Sequence, residues 1–135
     1  MHVLIMSESS WQRHTFGEII EGAGCTLSIA EAGDAAIAQV VQARPDIVVL
    51  TGYLAMNGSE QLLEWLHSDD GPRPIPHIIA HHDARMPVAL DAADVIISGM
   101  ATMNRIADAL RPFLDSDLAA RLDDYVARQT SLRRT

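Results

Sequence analysis

The residues with chemical potential are confined to a few stretches. His77, His81, His82 and Asp83 crowd the end of one apolar run, and Glu8 follows another. Imidazole nitrogens and carboxylate oxygens are donors that transition metals accept, so His81, His82, Asp83 and Glu8 would form a metal or small-molecule site if they met in one crevice. His77 and His81 have the spacing of residues on one strand face, whereas His82 points away. The plainer reading is therefore a set of hydrogen-bonded polar groups, with no metal and no other cofactor expected. A histidine in an acidic crevice can also titrate near neutral pH. Thr51 carries a hydroxyl at the end of a β-branched run and reads as a residue finishing a strand rather than as a phospho-acceptor. Glu8 reads as an acid at a helix N-terminus, where the macrodipole favours it. Trp11 and Tyr53 fall near the same rim, either as anchors for a partner or as side chains covering a pocket. Asp69-Asp70 lies among Gly and Pro and reads as a solvated turn.

Composition excludes more than it suggests. All ten basic residues among the 135 are Arg, and there is no lysine. No lysine Schiff base, P-loop lysine or lysine general base is available. Eighteen acids give a net charge of -8, divided as -9 over residues 1–99 and +1 over residues 100–135. Such a surface repels phosphate backbones and anionic lipid, so neither nucleic-acid nor membrane binding is expected. No apolar run approaches the ~18 residues of a membrane span. Met1 to Met6 lacks the basic flank and cleavage site of a signal peptide. The single Cys25 cannot form an internal disulfide and fits a reducing cytoplasm.

The elements that must position these residues alternate in type. Val3-Leu4-Ile5-Met6 is a continuous apolar run, as in a strand buried on both faces. Ser9 and Gln12 match a capping box, and Phe16, Ile19, Ile20 and Ala23 form one helical stripe ended by Gly22 and Gly24. Cys25 to Ala30 is a weaker, edge-like strand. Gly33-Asp34 opens a helix with Ile37, Val40 and Val41 inward, ended at Arg44-Pro45. Asp46 to Thr51 is the clearest strand. Ser59 is the expected cap of a third helix facing inward through Leu62, Leu63 and Leu66. Residues 75–80 and 94–98 give two more strands. Thr102 caps a helix running to Leu114, and Asp115-Ser116-Asp117 caps a last amphipathic segment. Repeated β-α units demand parallel strands with right-handed crossovers, here a flavodoxin-like three-layer α/β sandwich of order 2-1-3-4-5. Its crevice lies beyond the carboxyl ends of strands one and three, where Ser7, Glu8, Thr51, His81, His82 and Ser98 arrive.

Pro45-Asp46-Ile47-Val48-Val49-Leu50, Asn57-Gly58, Ile75-Pro76 and Asp91-Ala92-Ala93-Asp94 together resemble the scaffold of CheY-like receiver domains from two-component response regulators. The resemblance covers residues 1 to about 114. It implies an acceptor Asp after strand three, an acidic pair after strand one for Mg²⁺, a hydroxyl residue after strand four and a lysine after strand five. At those positions stand Thr51, Ser7 with Glu8, His81 and Ser98. Gly99 replaces the usual following proline, and Val95 replaces the aromatic switch residue. The loop near Ala55 is one residue short. A magnesium ion wants several oxygen ligands, and Thr51 cannot form an acyl phosphate. The resemblance is thus to a degenerate pseudo-receiver, a non-enzymatic signalling module without catalytic residues. A sensor using the crevice for a small molecule or metal is the alternative.

From His82 to Leu90, with Pro87 inside, there is room for barely two helical turns, so the family's fourth helix is expected to be short or irregular. A protein partner or a homodimer is expected to use that region, helix five or the tail. Leu118, Leu122, Tyr125, Gln129 and Leu132 follow a 4-3-4-3 spacing. Residues 115–135 are therefore a helical extension: a linker, a short coiled coil, or a helix folding back on the domain.

Overall fold

A computed structural model describes residues 1–54, 56–82 and 92–133. Five parallel strands form one sheet of order β2-β1-β3-β4-β5. They are β1 (His2–Met6), β2 (Thr26–Ala30), β3 (Ile47–Leu50), β4 (His77–His82) and β5 (Val95–Ser98). The helices are α1 (Ser10–Gly22), α2 (Gly33–Ala43), α3 (Ser59–His67), α4 (Met103–Leu110) and α5 (Ser116–Arg133), with a 3-10 turn over Arg111–Phe113. This is the expected flavodoxin-like sandwich. The expected fourth helix, placed between His82 and Leu90, falls after His82 outside the described residues, as do Ala55 and Asp83; α4 is the helix read from sequence as the fifth.

Strand alternation builds two cores. Val3, Ile5, Ile47, Val49, Ile79 and Ile97 face one side, with Phe16, Ile19, Ile20, Ile106, Leu110 and Leu122. Leu4, Met6, Val48, Leu50, Ile78 and Ala80 face the other, with Ala36, Val40, Leu62, Leu63 and Leu66. Every residue of β1 from Val3 onward, and all of β3, is buried on one face or the other. That double burial is why their sequences are unbroken apolar runs.

Several local expectations change. Val41 is 64% exposed, and Ala36 takes its place in the core. Ala36 and Val40 are one helical turn apart, whereas Val41 is turned about 100° from Val40. Ser59 does not cap α3: Gly58 is the capping residue, and the Asn57 side chain accepts from both the Ser59 N–H and its hydroxyl. Strand four begins at His77 instead of Ile75. Pro76 has no N–H for the ladder, and the first bond is His77 N–H to the Asp46 carbonyl at 3.0 Å. Helix α4 stops at Leu110, and the 3-10 turn carries Phe113.

Helix α5 lies against α1. Leu122 is fully buried in the first core, with Leu118, Tyr125 and Val126 partly buried beside it. The Tyr125 ring sits on Gly22, close enough that a Cβ there would meet ring carbons at 2.6 Å. Arg111 ties α5 to α4 through Asp123 and Asp108. The far end of the stripe, Leu132, is exposed. Burial pushes the pKa of the Cys25 thiol up. Among the described residues no helix is long and apolar enough to cross a membrane.

Candidate functional site

Parallel strands deliver Ser7, Thr51, His81 and Ser98 to one edge of the sheet. β1 and β3 pair Met6 with Leu50, and β4 and β5 pair His82 with Ser98. Ser7 and Thr51 follow directly and are completely buried. The Ser7 hydroxyl accepts from the Ser9 N–H at 3.1 Å. Its carbonyl accepts from Arg13 Nη1 at 2.7 Å.

Glu8 bridges two loops. Oε1 accepts from the Tyr53 N–H at 2.7 Å, and Oε2 accepts from Asn57 Nδ2 at 2.9 Å. The carboxylate lies over Gly52, whose φ is +98° and where a Cβ would stand 2.6 Å from Oε1. Glycine is needed there twice over, for the left-handed backbone and for the space. Asn57 is the hub: it also donates to the Thr51 carbonyl at 3.2 Å and holds the start of α3. Asn57, singled out from sequence only as part of the Asn57-Gly58 scaffold motif, is a buried connector.

Thr51 and His81 form a second group. Thr51 Oγ1 lies 2.7 Å from Gln12 Oε1 and 2.9 Å from His81 Nδ1. His81 Nε2 donates to the Gly99 carbonyl at 2.6 Å. Its ring centroid is 5.9 Å from that of Phe16. Gln12 therefore fulfils only half of the capping box. Ser9 accepts from the Gln12 N–H, but the Gln12 side chain turns to the crevice. Only the tertiary position of Thr51 reveals that choice. Arg105 Nη1 donates to the Ser98 and Met100 carbonyls, so Ser98 meets a guanidinium through its main chain.

The histidines do not gather at one point. His77 stacks on Phe113 at the opposite end of β4, with centroids 4.4 Å apart. His81 has both ring nitrogens engaged by protein atoms, and both Glu8 oxygens are engaged elsewhere. Among the described residues no three His, Cys, Asp or Glu side chains could hold a metal ion together. Magnesium, which the resemblance to receiver domains implies, does not fit the described residues: among them Glu8 is the one carboxylate contributed, and both its oxygens already accept from Tyr53 and Asn57. His82 closes β4 opposite Ser98. On the rim, Trp11, Tyr53, Met56 and Met100 are 74%, 65%, 77% and 79% exposed, so neither aromatic residue covers a pocket.

No protein-family model matches the chain, and no curated protein does. Solved structures do. The chemotaxis response regulator CheY4 of Vibrio cholerae superposes with a TM-score of 0.70 at 15% identity, covering 84% of this chain and 98% of that one. The signal receiver domain of a histidine kinase from Syntrophus aciditrophicus gives 0.71 at 22% identity, covering 84% and 89%. The pseudo-receiver domain of the CikA protein gives 0.63 at 19% identity, covering 83% and 95%. Element order, sheet order and these superpositions agree that the chain has the fold of a CheY-like receiver domain.

Proposed function

We propose that this domain is a phosphorylation-independent signalling module of the response-regulator type, acting in the cytoplasm through contact with a protein partner or a second copy. Ser7, Glu8, Thr51, His81 and Ser98 are the vestiges of its phosphorylation site. Residues 1–114 are the receiver-like unit, and residues 115–135 are its helical extension.

The observation that carries this reading is the self-satisfaction of the crevice. The Glu8 carboxylate is closed onto Tyr53 and Asn57, and the Thr51 hydroxyl onto Gln12 and His81. Arg13 and Arg105 spend hydrogen bonds on main-chain carbonyls. A phosphoryl group arriving here would have to displace these bonds and would find no lysine to pair with. The likeness to a pseudo-receiver supports the same reading at the level of fold. Trp11, Tyr53, Met56 and Met100 are the apolar side chains that the rim offers to a partner, and exposed aromatics of this kind often anchor interfaces.

The test is incubation of the full chain with acetyl phosphate and Mg²⁺, read by intact mass. The expected spectrum has no phosphoryl adduct. An adduct cleaved by hydroxylamine would identify an acyl phosphate and overturn the proposal.

A further inference from the structure

A chain of hydrogen bonds crosses the crevice from α1 to the β5–α4 loop: Gln12 Oε1 to Thr51 Oγ1, Thr51 Oγ1 to His81 Nδ1, and His81 Nε2 to the Gly99 carbonyl. Its protons can be counted. The Gly99 carbonyl only accepts, so Nε2 carries a hydrogen. Thr51 Oγ1 has one hydrogen to give. If Thr51 donates to Gln12 Oε1, then Nδ1 must donate to Thr51, and His81 is an imidazolium. If His81 is neutral, Nδ1 accepts from Thr51, and the Gln12 amide turns over to donate its N–H to Thr51. Each arrangement leaves Thr51 Oγ1, both His81 ring nitrogens and the Gly99 carbonyl partnered.

That equivalence is unusual for a buried histidine. Changing the charge of a buried ring normally strands a donor or an acceptor, which costs about 1–3 kcal/mol. Here the Thr51 hydroxyl and the Gln12 amide absorb the change by rotation. We propose that Gln12, Thr51, His81 and Gly99 form a proton-binding site whose hydrogen-bond direction reverses on protonation, so that sensing pH is a further function of this domain. Uptake of one proton from solvent forms the Nδ1–H bond, and no covalent bond breaks.

The groups around His81 suit this role. Phe16 faces it from α1, Thr51 from the end of β3 and the Gly99 carbonyl from the β5–α4 loop. Among the described residues, three charged groups on the packed elements are engaged elsewhere. Arg13 of α1 binds the Ser7 carbonyl and lies 3.7 Å from Glu31, and Glu8 after β1 binds Tyr53 and Asn57. Arg105 of α4 binds the Ser98 and Met100 carbonyls. On its own strand His77 is stacked on Phe113 at the other end, and His82 and Asp83 follow in sequence. Histidine is the side chain whose charge ordinarily changes between about pH 5 and 8. A charge-assisted bond to Gly99 is stronger than a neutral one, so protonation tightens the loop that carries the exposed Met100. At the other end it reorients Gln12, the neighbour of the exposed Trp11. The proton thus acts on two rim side chains at once.

The test is long-range ¹H–¹⁵N NMR of the imidazole in the full chain, from about pH 5 to pH 8. Nε2 is expected to stay protonated throughout, while Nδ1 passes from N–H to bare nitrogen as pH rises. The Met100 amide and the Gln12 side-chain amide should move with the same midpoint. In Thr51→Val the Gln12 response should vanish while the Met100 response persists. Gln12→Leu removes the acceptor that only the protonated state needs, so it should move the midpoint to lower pH. A His81 ring locked in one state across the range would overturn the proposal. So would a Gln12 response unchanged by Thr51→Val, or a midpoint that Gln12→Leu leaves in place or raises. None of these readouts depends on phosphotransfer, so this proposal and the preceding one can fail separately.

Discussion

Leu122→Ala is expected to lower the unfolding free energy by about 2–5 kcal/mol, the range for truncating a buried leucine. Leu122 is fully buried among residues of the first core, although it belongs to the terminal helix α5. The loss combines removed apolar contact with the cavity left behind. Where the cost falls in the range depends on how far Leu118, Tyr125 and Val126 can collapse into the gap. Chemical denaturation monitored by circular dichroism checks the result. Leu132→Ala is the control: its side chain is exposed, so it should change stability by no more than about 0.5 kcal/mol. If Leu122→Ala behaved like Leu132→Ala, α5 would be contributing little to the fold.

The second large effect is expected at Gly33. The first residue of α2 touches the loop before α3: its N–H donates to the Asn57 carbonyl at 3.0 Å. A Cβ added there would press into the Gly58 carbonyl and stand 2.9 Å from Gly58 C. Both contacting groups are backbone, so no side chain can rotate away. Gly33→Ala should therefore cost about 1–3 kcal/mol, as overpacking generally does. The strain should also reach the site, because Asn57 holds Glu8, Thr51 and Ser59. Denaturant titration measures the first effect, and amide shifts at Tyr53 and Ser59 report the second. Gly33→Ala with wild-type stability and unmoved amides would show that the α2–α3 contact yields freely.

These two residues illustrate what a sequence can carry. The β-α alternation and the sheet order are legible because strands buried on both faces must be continuous apolar runs, and β1 and β3 are. The stripe through Leu122 is equally plain, but periodicity alone cannot say whether it pairs with another chain or with α1. That is decided by the fit of Tyr125 on Gly22, a contact between distant positions. Val41 lies outside the core because one residue of helical phase separates core from solvent, and an apolar triplet does not fix the phase. At the site, the strand ends bring Ser7, Thr51, His81 and Ser98 to one edge, since a parallel sheet gathers all its carboxyl ends there. Gln12 and Asn57 were hidden for a different reason. Each has a complete local explanation, as a capping residue and as a turn residue, and nothing local tells that its side chain reaches elsewhere. The missing lysine remains the most informative single absence, because it holds for every alignment of the chain.

A phosphorylation-independent module, as proposed, should not respond to a phosphoryl mimic. Binding of Mg²⁺ with beryllofluoride tests this most directly, since this phosphoryl mimic requires no covalent chemistry beyond an acceptor carboxylate and its metal. In amide-resolved NMR of the full chain, the resonances of Thr51, Gly52, Tyr53 and Gly99 are predicted to stay where they are when both are added. Saturable shifts of those amides that require Mg²⁺ and beryllofluoride together would contradict the account.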